Sequence, residues 1–150
     1  MEKSKAHFPL FVDLSEKQIL VAGGGNIAAR RVHILCSFCN KIKVVAPEIC
    51  GEIKSEPVQY EERIFMAGDL DGMDLVLAAT NDVLVDQEIY SLCKKMKIPV
   101  NVASDKQKCD FFFPGIVQDE NVVVGITASG KNHTQARLVR EKIQKVIGNL

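Results

Sequence analysis

A buried strand that runs into a glycine-rich turn and then a helix constrains this fold most. Gln18–Gly23 (QILVAG) is a continuous apolar run, typical of a strand buried on both faces. Gly23–Gly25 follow, and from Asn26 to about Cys39 the apolar residues recur at helical spacing. Such a strand needs covering layers on both sides of its sheet, so this stretch favours an α/β fold.

Strand and helix patterns alternate as far as Asp105. A short extended segment is predicted at Pro9–Leu14, with a polar turn at Ser15–Lys17. Further strands are predicted at Lys41–Ala46, Val58–Phe65, Asp74–Thr80 and Ile98–Ser104, and an amphipathic helix at Asp82–Lys97. This order indicates a Rossmann-like parallel sheet flanked by helices and joined by right-handed crossovers.

The pattern changes beyond Asp105. Gly115–Val117 and Asn121–Thr127 read as a β-hairpin, and a last amphipathic helix is predicted over 132–150, with Asn132 as a good N-cap. A hairpin with one helix buries little area alone and needs a partner, most simply a second copy. We therefore expect a dinucleotide-binding domain over 1–113 and a dimerisation region over 114–150.

Composition narrows the function classes. The 150 residues carry 19 basic and 19 acidic side chains, so no broad field attracts nucleic acid or a membrane surface. No apolar run approaches the roughly 18 to 20 residues that span a bilayer, and the first residues show no secretory pattern. Five irregularly spaced cysteines argue against a disulfide framework, and Cys36 and Cys39 read as inert thiols. A cytoplasmic protein is expected.

The glycine turn fits a pyrophosphate-binding motif. Residues 23–28 (GGGNIA) match G-x-G-x-x-[GA], with a strand before and a helix after, as the motif requires. Gly23 permits the tight turn, Gly25 lets the backbone approach the pyrophosphate, and Ala28 lets the helix pack closely on the sheet. The amides at the helix start then face the phosphates.

One expected part of a dinucleotide site is missing. An acidic residue at the end of the second strand usually binds the adenosine ribose, but that strand ends VVAPE. Ala46 and Pro47 occupy the place, and Glu48 comes slightly late. Without an arginine there, NADP is less favoured than NAD. A Rossmann-like fold that holds another ligand, or none, remains the alternative.

Nearly the whole chain resembles the precorrin-2 dehydrogenase (siroheme synthase N-terminal) family. The matching stretches are FPLFVDLSEKQILVAGGGNIAARR, KIKVVAP, DLVLAATND, VNVASD with CDFFFPGIV, and ITASGKNHTQARLVREKI. The resemblance implies a homodimer that oxidises precorrin-2 to sirohydrochlorin with NAD. It also implies possible insertion of ferrous iron, as a substrate, at the same site. Compared with the family's architecture, we expect the helical tail to be missing or very short and the fused methyltransferase domain of some members to be absent.

The resemblance also implies site residues. The expected cofactor-binding residues are Gly23, Gly24, Gly25, Asn26, Ile27, Ala28, Pro47, Glu48, Thr80 and Asn81. The family's catalytic aspartate falls at Ser104, one residue before Asp105. Adjacent strand residues face opposite ways, so Asp105 substitutes only if the strand has already ended. Otherwise Ser104 occupies the site, and Asp105 caps the following loop.

Precorrin-2 carries eight carboxylates, which local basic residues could bind. The candidates are Arg30, Arg31, Lys106, Lys108, Lys131, Arg137 and Arg140. Gly130, Lys131 and Asn132 form a turn at the start of the last helix that could hold a carboxylate, with Arg137 nearby. Each basic residue could instead be a solvated surface charge. Two other functions stay open: a non-catalytic dinucleotide- or tetrapyrrole-binding module, and an iron chelatase.

Overall fold

The chain forms two compact units. The computed structural model describes residues 5–148. One unit comprises residues 12–111, and the other comprises residues 5–11 together with 112–148. None of the helices within 5–148 is long and apolar enough to cross a membrane.

The larger unit is built on a five-stranded parallel sheet. Its strands are β1 (Gln18–Ala22), β2 (Lys41–Ala46), β3 (Gln59–Glu62), β4 (Leu75–Ala78) and β5 (Val100–Val102), in the order β3-β2-β1-β4-β5. Val21 of β1 lies opposite Val44 on one side and Leu77 on the other. Ile19–Ala22 are fully buried, as expected of a central strand covered on both faces. The strand order reverses between β1 and β4, where ligands bind in folds of this type.

Helices connect the strands and bury one face each. They are α1 (Asn26–Leu35), α2 (Gly51–Lys54) and α3 (Val83–Met96). Asp82 caps the start of α3 by accepting from the amide of Leu84 at 2.9 Å. Lys97 adopts left-handed backbone angles after the last turn, and Ile98 N donates to Cys93 O at 2.9 Å, which closes the helix.

The predicted elements are mostly confirmed, with shorter bounds. The first helix ends at Leu35 rather than near Cys39. Ser37 N and Phe38 N donate three residues back, and the chain turns to bury Cys39, whose thiol donates to Lys17 O at 3.3 Å. The third strand ends at Glu62 because its partner strand ends at Ala46, so residues 63–65 have no neighbour there.

The Pro9–Leu14 segment is irregular rather than a strand, since it pairs with no strand of the described chain. Ser15–Lys17 does form the predicted turn, closed by Lys17 N donating to Leu14 O at 3.0 Å.

β3 is one edge of the sheet, and all four of its side chains are exposed. Beside it lies an ion-pair cluster centred on Asp69, which is 7% exposed. Arg63 donates to both Asp69 carboxylate oxygens, at 2.9 and 2.6 Å, and the amide of Met66 donates at 2.8 Å. Glu61 accepts from Arg63 and pairs with Lys43 at 3.1 Å. The cluster anchors the irregular chain that follows β3.

The second unit contains the predicted hairpin and helix. β6 (Gly115–Gln118) pairs antiparallel with β7 (Val123–Ile126), and α4 covers His133–Ile147. Asn132 caps α4 by accepting from Gln135 N at 2.9 Å, as predicted. The sequence predicts that this helix continues to Leu150; residues 149 and 150 lie outside the described part of the chain. His7 stacks on Phe112 with ring centroids 3.9 Å apart.

Candidate functional site

The three glycines of the turn after β1 meet different surroundings. A Cβ on Gly23, whose φ is +143°, would lie 2.3 Å from Ala79 O, and one on Gly24 would lie 1.9 Å from Glu48 O. Gly23 therefore packs against the chain after β4, and Gly24 against the chain after β2. A Cβ on Gly25 would meet no atom within 4 Å. Gly25 thus faces open space in front of α1.

The start of α1 carries amide donors without a side-chain cap. Its N-cap is Gly25, and the first intrahelical acceptor is Gly25 O, bonded by Ala29 N at 2.9 Å. The amides of Asn26, Ile27 and Ala28 precede that bond, so they have no acceptor within the helix. In α3 and α4, by contrast, a side chain caps the first turn. This open, positively polarised helix start fits a pyrophosphate.

The end of β2 presents acidic groups beside the glycine turn. Pro47 and Glu48 are exposed. Ala46 is in register with Glu62 of β3, whose carboxylate accepts from Ile49 N at 3.4 Å and pairs with Lys54 at 2.6 Å. The amide of Cys50 donates to Gly24 O at 2.9 Å, which fixes this loop against the glycine turn.

Thr80 follows β4 and is fixed by Asp86 of α3. The Thr80 hydroxyl donates to Asp86 Oδ1 at 2.6 Å, and the Thr80 amide donates to the same oxygen at 3.2 Å. Asn81 beside it is exposed, as are Val83 and Leu84 at the start of α3. The chain after β4 therefore offers a fixed polar group and exposed apolar side chains at the carboxyl edge of the sheet.

Ser104 and Asp105 follow β5, which ends at Val102. Ser104 is exposed, and its hydroxyl lies 3.5 Å from Asp86 Oδ2. Asp105 caps a 3₁₀ turn at Lys106–Lys108: its Oδ1 accepts from Gln107 N at 3.0 Å, and its Oδ2 lies 3.6 Å from Lys108 Nζ. The strand thus ends before either residue, and the Asp105 carboxylate contacts its own loop.

Two of the predicted basic residues, Arg31 and Lys108, contact side chains of the larger unit. Arg31 donates to Asn101 Oδ1 at 2.6 Å, and Asn101 Nδ2 donates to Phe111 O at 2.9 Å. Burial lowers the pKa of the Arg31 guanidinium. Lys108 contacts Gln87 as well as Asp105. Arg30 and Lys106 are exposed.

Sequence reasoning missed Asp86, which is only 3% exposed. A signal was available, because Asp86 precedes Ile89 by three residues and Cys93 by seven. It therefore falls on the apolar stripe of α3. A carboxylate on such a stripe needs polar partners, and Thr80 and Ser104 supply them.

The substrate-binding candidates lie at the start of α4 in the second unit. Ser129 and Gly130 both have positive φ, and Lys131 N donates to Ala128 O at 3.0 Å, forming a tight turn. Asn132 caps the helix, and Arg137 is exposed on it. Arg140 packs across the hairpin, since a Cβ on Gly115 would lie 3.2 Å from its Cδ.

All five cysteines are free. Burial raises the pKa of Cys36 to about 11, with the neighbouring Glu56 adding to the shift, and burial likewise raises the pKa of Cys93 to about 11. Residues 5–148 contain no cluster of three His, Cys, Asp or Glu that could hold a metal ion. Asp110 accepts from Val100 N at 3.0 Å and pairs with Lys94, so it braces the start of β5.

Known proteins match this chain along most of its length. A family model described as "Putative NAD(P)-binding" matches residues 10–115. A siroheme synthase of Photorhabdus laumondii is 36% identical over 145 residues, covering 94% of this chain and 31% of that protein. A siroheme synthase of Buchnera aphidicola is 33% identical over 147 residues, covering 95% of this chain and 31% of that protein. The chain thus spans about a third of the length of these relatives.

A solved structure shares the fold. SirC, described as a precorrin-2 dehydrogenase, superposes with a TM-score of 0.75 and 24% identity, covering 93% of this chain and 70% of that one. This likeness confirms the Rossmann-like sheet followed by a hairpin and helix. The family match, the glycine turn and the open start of α1 together support a nicotinamide dinucleotide as the ligand.

Proposed function

Because the chain belongs to the family described as "Putative NAD(P)-binding", we propose that it is a precorrin-2 dehydrogenase of siroheme biosynthesis, which oxidises precorrin-2 to sirohydrochlorin with NAD. The observation that carries this proposal is the similarity to siroheme synthases over 94% of the chain. The open α1 start supports it independently, because it supplies an anion site where the cofactor pyrophosphate is needed.

The cofactor-binding residues are assigned from the geometry of the sheet edge. When bound, NAD supplies the hydride acceptor, and the protein positions it. We assign the pyrophosphate to Gly23, Gly24, Gly25 and the amides of Asn26, Ile27 and Ala28. Pro47 and Glu48 then stand beside the adenosine ribose, and Thr80 and Asn81 beside the nicotinamide. The assignment follows the position of each group after its strand.

NAD is preferred to NADP in this proposal. Glu48 is exposed after β2, and Glu62 ends the neighbouring strand. Lys54 pairs with Glu62, which leaves the negative charge of Glu48 as the excess among these three side chains. A 2′-phosphate placed there would be repelled, whereas a ribose hydroxyl can donate to a carboxylate.

Substrate carboxylates are assigned to the start of α4. Gly130, Lys131 and Asn132 form the turn, and Arg137 lies one helical turn further on. Lys131 and Arg137 supply positive charge, and the helix start adds its dipole. We assign removal of the accompanying proton to Ser104 or Asp105; what supports this assignment is that both follow β5 at the carboxyl edge of the sheet.

We also propose that the protein is a cytoplasmic homodimer, with residues 114–150 as the dimerisation region. The described part of α4 buries no residue, although its sequence is amphipathic. Leu138, Val139 and Val146 are exposed, as are Val122 and Val123 of the hairpin. A second copy would remove this apolar area from water.

The cytoplasmic location is supported by the free cysteines, because a reducing compartment keeps thiols unpaired.

The oligomeric state is tested by sedimentation equilibrium. The wild type should sediment as a dimer and Val146→Asp as a monomer or a much weaker dimer. Gln144→Asp, at a neutral and exposed polar position of the same helix, changes the charge by the same single unit and is the control for adding an aspartate. A monomeric wild type would refute the dimer.

The activity is tested by incubating the purified protein with precorrin-2 and either NAD or NADP. Sirohydrochlorin absorbance and NADH should appear together, and NAD should give the larger kcat/KM. Ser104→Ala and Asp105→Ala identify which residue supports the proton transfer. Dinucleotide binding without turnover by the folded dimer would replace the proposal with the binding-module function.

Chelatase activity needs a separate assay, because it requires no dinucleotide. Sirohydrochlorin and ferrous iron are incubated without NAD, and siroheme absorbance is followed. The proposed dehydrogenase function does not depend on the outcome of this assay.

A further inference from the structure

Asp86 is a buried carboxylate that links the ends of two strands. It lies on α3, accepts from the Thr80 hydroxyl and amide through Oδ1, and lies 3.5 Å from the Ser104 hydroxyl through Oδ2. Thr80 follows β4, and Ser104 follows β5. One buried carboxylate therefore connects Thr80, after β4, with the exposed Ser104 hydroxyl, after β5, at the carboxyl edge of the sheet.

The orientation of the Ser104 hydroxyl follows from this contact. A carboxylate is an acceptor only, so the hydroxyl points its proton towards Asp86 and its lone pairs outward. The contact is long, but the hydrogen bonds of proton-transfer pairs are often long before the substrate binds. Asp105 offers no equivalent arrangement, because both of its carboxylate oxygens face groups of its own loop.

We infer that Asp86 is the positioning residue for proton removal, acting through Ser104. This inference rests on the proposed dehydrogenase function. When bound, the dinucleotide would supply the hydride acceptor, which leaves the accompanying proton for the protein to remove. The matching proton passes from the substrate to Ser104 Oγ, while Ser104 gives its own proton to Asp86 Oδ2. The substrate thus loses one hydride and one proton. The buried Asp86 then passes its proton back to Ser104 Oγ while the exposed Ser104 hydroxyl releases its own proton to water.

The kinetic test uses a substitution that keeps the Thr80 contacts. In Asp86→Asn the amide oxygen can still accept from Thr80, but the amide nitrogen faces Ser104 and cannot take a proton. We expect kcat to fall about 100-fold in Asp86→Asn and in Ser104→Ala, with both KM values and NAD affinity unchanged. The double variant should lose no more than either single variant.

A matched control neutralises another carboxylate that accepts from a backbone amide of the larger unit. Asp110→Asn does so at the start of β5, whereas Asp86 lies near the opposite end of that strand. Its kcat should equal that of the wild type. Losses that multiply in the Asp86→Asn/Ser104→Ala double variant would show independent structural effects and overturn the inference.

A second test needs neither cofactor nor turnover. In Ser104→Cys the thiol lies beside the Asp86 carboxylate, which disfavours the thiolate. Its alkylation by iodoacetamide is followed against pH by peptide mass spectrometry. The thiol pKa should be about one to three pH units higher in Ser104→Cys than in Ser104→Cys/Asp86→Asn. Asp105 and Lys108 are present in both variants, so their charges cancel in the comparison.

The outcomes separate the two proposals. Equal thiol pKa values would overturn the Asp86–Ser104 coupling even if the protein is a dehydrogenase. A thiol pKa difference between the two Cys variants, together with a folded wild type that shows no turnover, would overturn the dehydrogenase function and, with it, the catalytic use of the coupling. Turnover with a kcat of Asp86→Asn equal to that of the wild type would overturn the inference alone.

Discussion

Gly24 and Gly25 are adjacent, yet alanine at each should change a different property. At Gly24 the added Cβ would lie 1.9 Å from Glu48 O and 2.9 Å from Glu48 C, both backbone atoms. Since Cβ atoms essentially never come within 3.0 Å of such atoms, the two backbone segments must separate by about 1 Å. At Gly25 the Cβ meets open space, and a φ of −95° with ψ of −161° suits any residue.

The expected magnitudes differ accordingly. In Gly24→Ala the separation strains the packing and weakens the 2.9 Å bond from Cys50 N to Gly24 O. Overpacking of this kind costs about 2 kcal/mol and the hydrogen bond about 1 kcal/mol, so unfolding free energy falls by about 3 kcal/mol. The Tm should drop by about 10 °C. In Gly25→Ala stability should stay within about 0.5 kcal/mol of the wild type.

For NAD affinity we expect the opposite ranking, with Gly25→Ala affected more than Gly24→Ala. The Gly25→Ala methyl group occupies the space assigned to the pyrophosphate and prevents close approach of the backbone amides. The loss of one or two charge-assisted hydrogen bonds raises the NAD Kd about ten- to hundredfold. Circular dichroism melts and isothermal titration calorimetry measure the two properties. Unchanged NAD affinity in Gly25→Ala would refute the assignment of the pyrophosphate to the glycine turn. An unchanged Tm in Gly24→Ala would refute the close contact between Gly24 and Glu48 O.

Three further predictions concern other parts of the chain. Hydrogen bonds from Arg63 hold the pKa of the Asp69 carboxyl below its ordinary value of 3.8. The ionised carboxylate therefore stabilises the folded protein above pH 3.8, and this contribution is lost as the pH falls through the lower pKa of the folded state. Asp69→Asn should therefore cost about 2 kcal/mol at pH 7 in urea unfolding, and less at pH 2; an equal cost at both would contradict this. Cys36 and Cys93, with pKa values raised to about 11, should resist iodoacetamide at pH 8 until unfolding, and early labelling by mass spectrometry would argue otherwise. Asn132→Ala should cost about 1 kcal/mol in thermal unfolding, whereas Asn132→Asp, which keeps the cap, should cost little; similar losses would exclude capping as the cause.

The order of elements could be predicted from sequence because it depends on local patterns. The apolar run before Gly23 and the helical spacing after it suffice for β1 and α1, and the polar residue before α4 suffices for its cap. Element ends were less predictable, because they depend on distant partners. β3 stops where β2 stops, and α1 stops where Cys39 turns towards Lys17.

The same distinction between local patterns and distant partners applies to the candidate site. The glycine turn could be predicted because its motif is contiguous in the sequence, between a strand and a helix. The contacts that require Gly23 and Gly24, with Ala79 and Glu48, are long-range and could not be predicted. The role of Asp86 could not be predicted either, because its partners Thr80 and Ser104 are six and eighteen residues away along the chain. Only the pairing of β4 with β5 brings those partners together beside α3. The Asp105 cap was foreseen as one of two alternatives, since its acceptor role lies within its own turn.

The exposed edge of the sheet affects the behaviour of the protein at high concentration. A free edge strand can template pairing with another chain and start aggregation. β3 carries Glu61 and Glu62, and Arg63 follows directly. An incoming copy of β3 would have to remove these charges from water and disturb the Asp69 cluster beside them. The larger unit should therefore stay in solution without extending its sheet from molecule to molecule through β3.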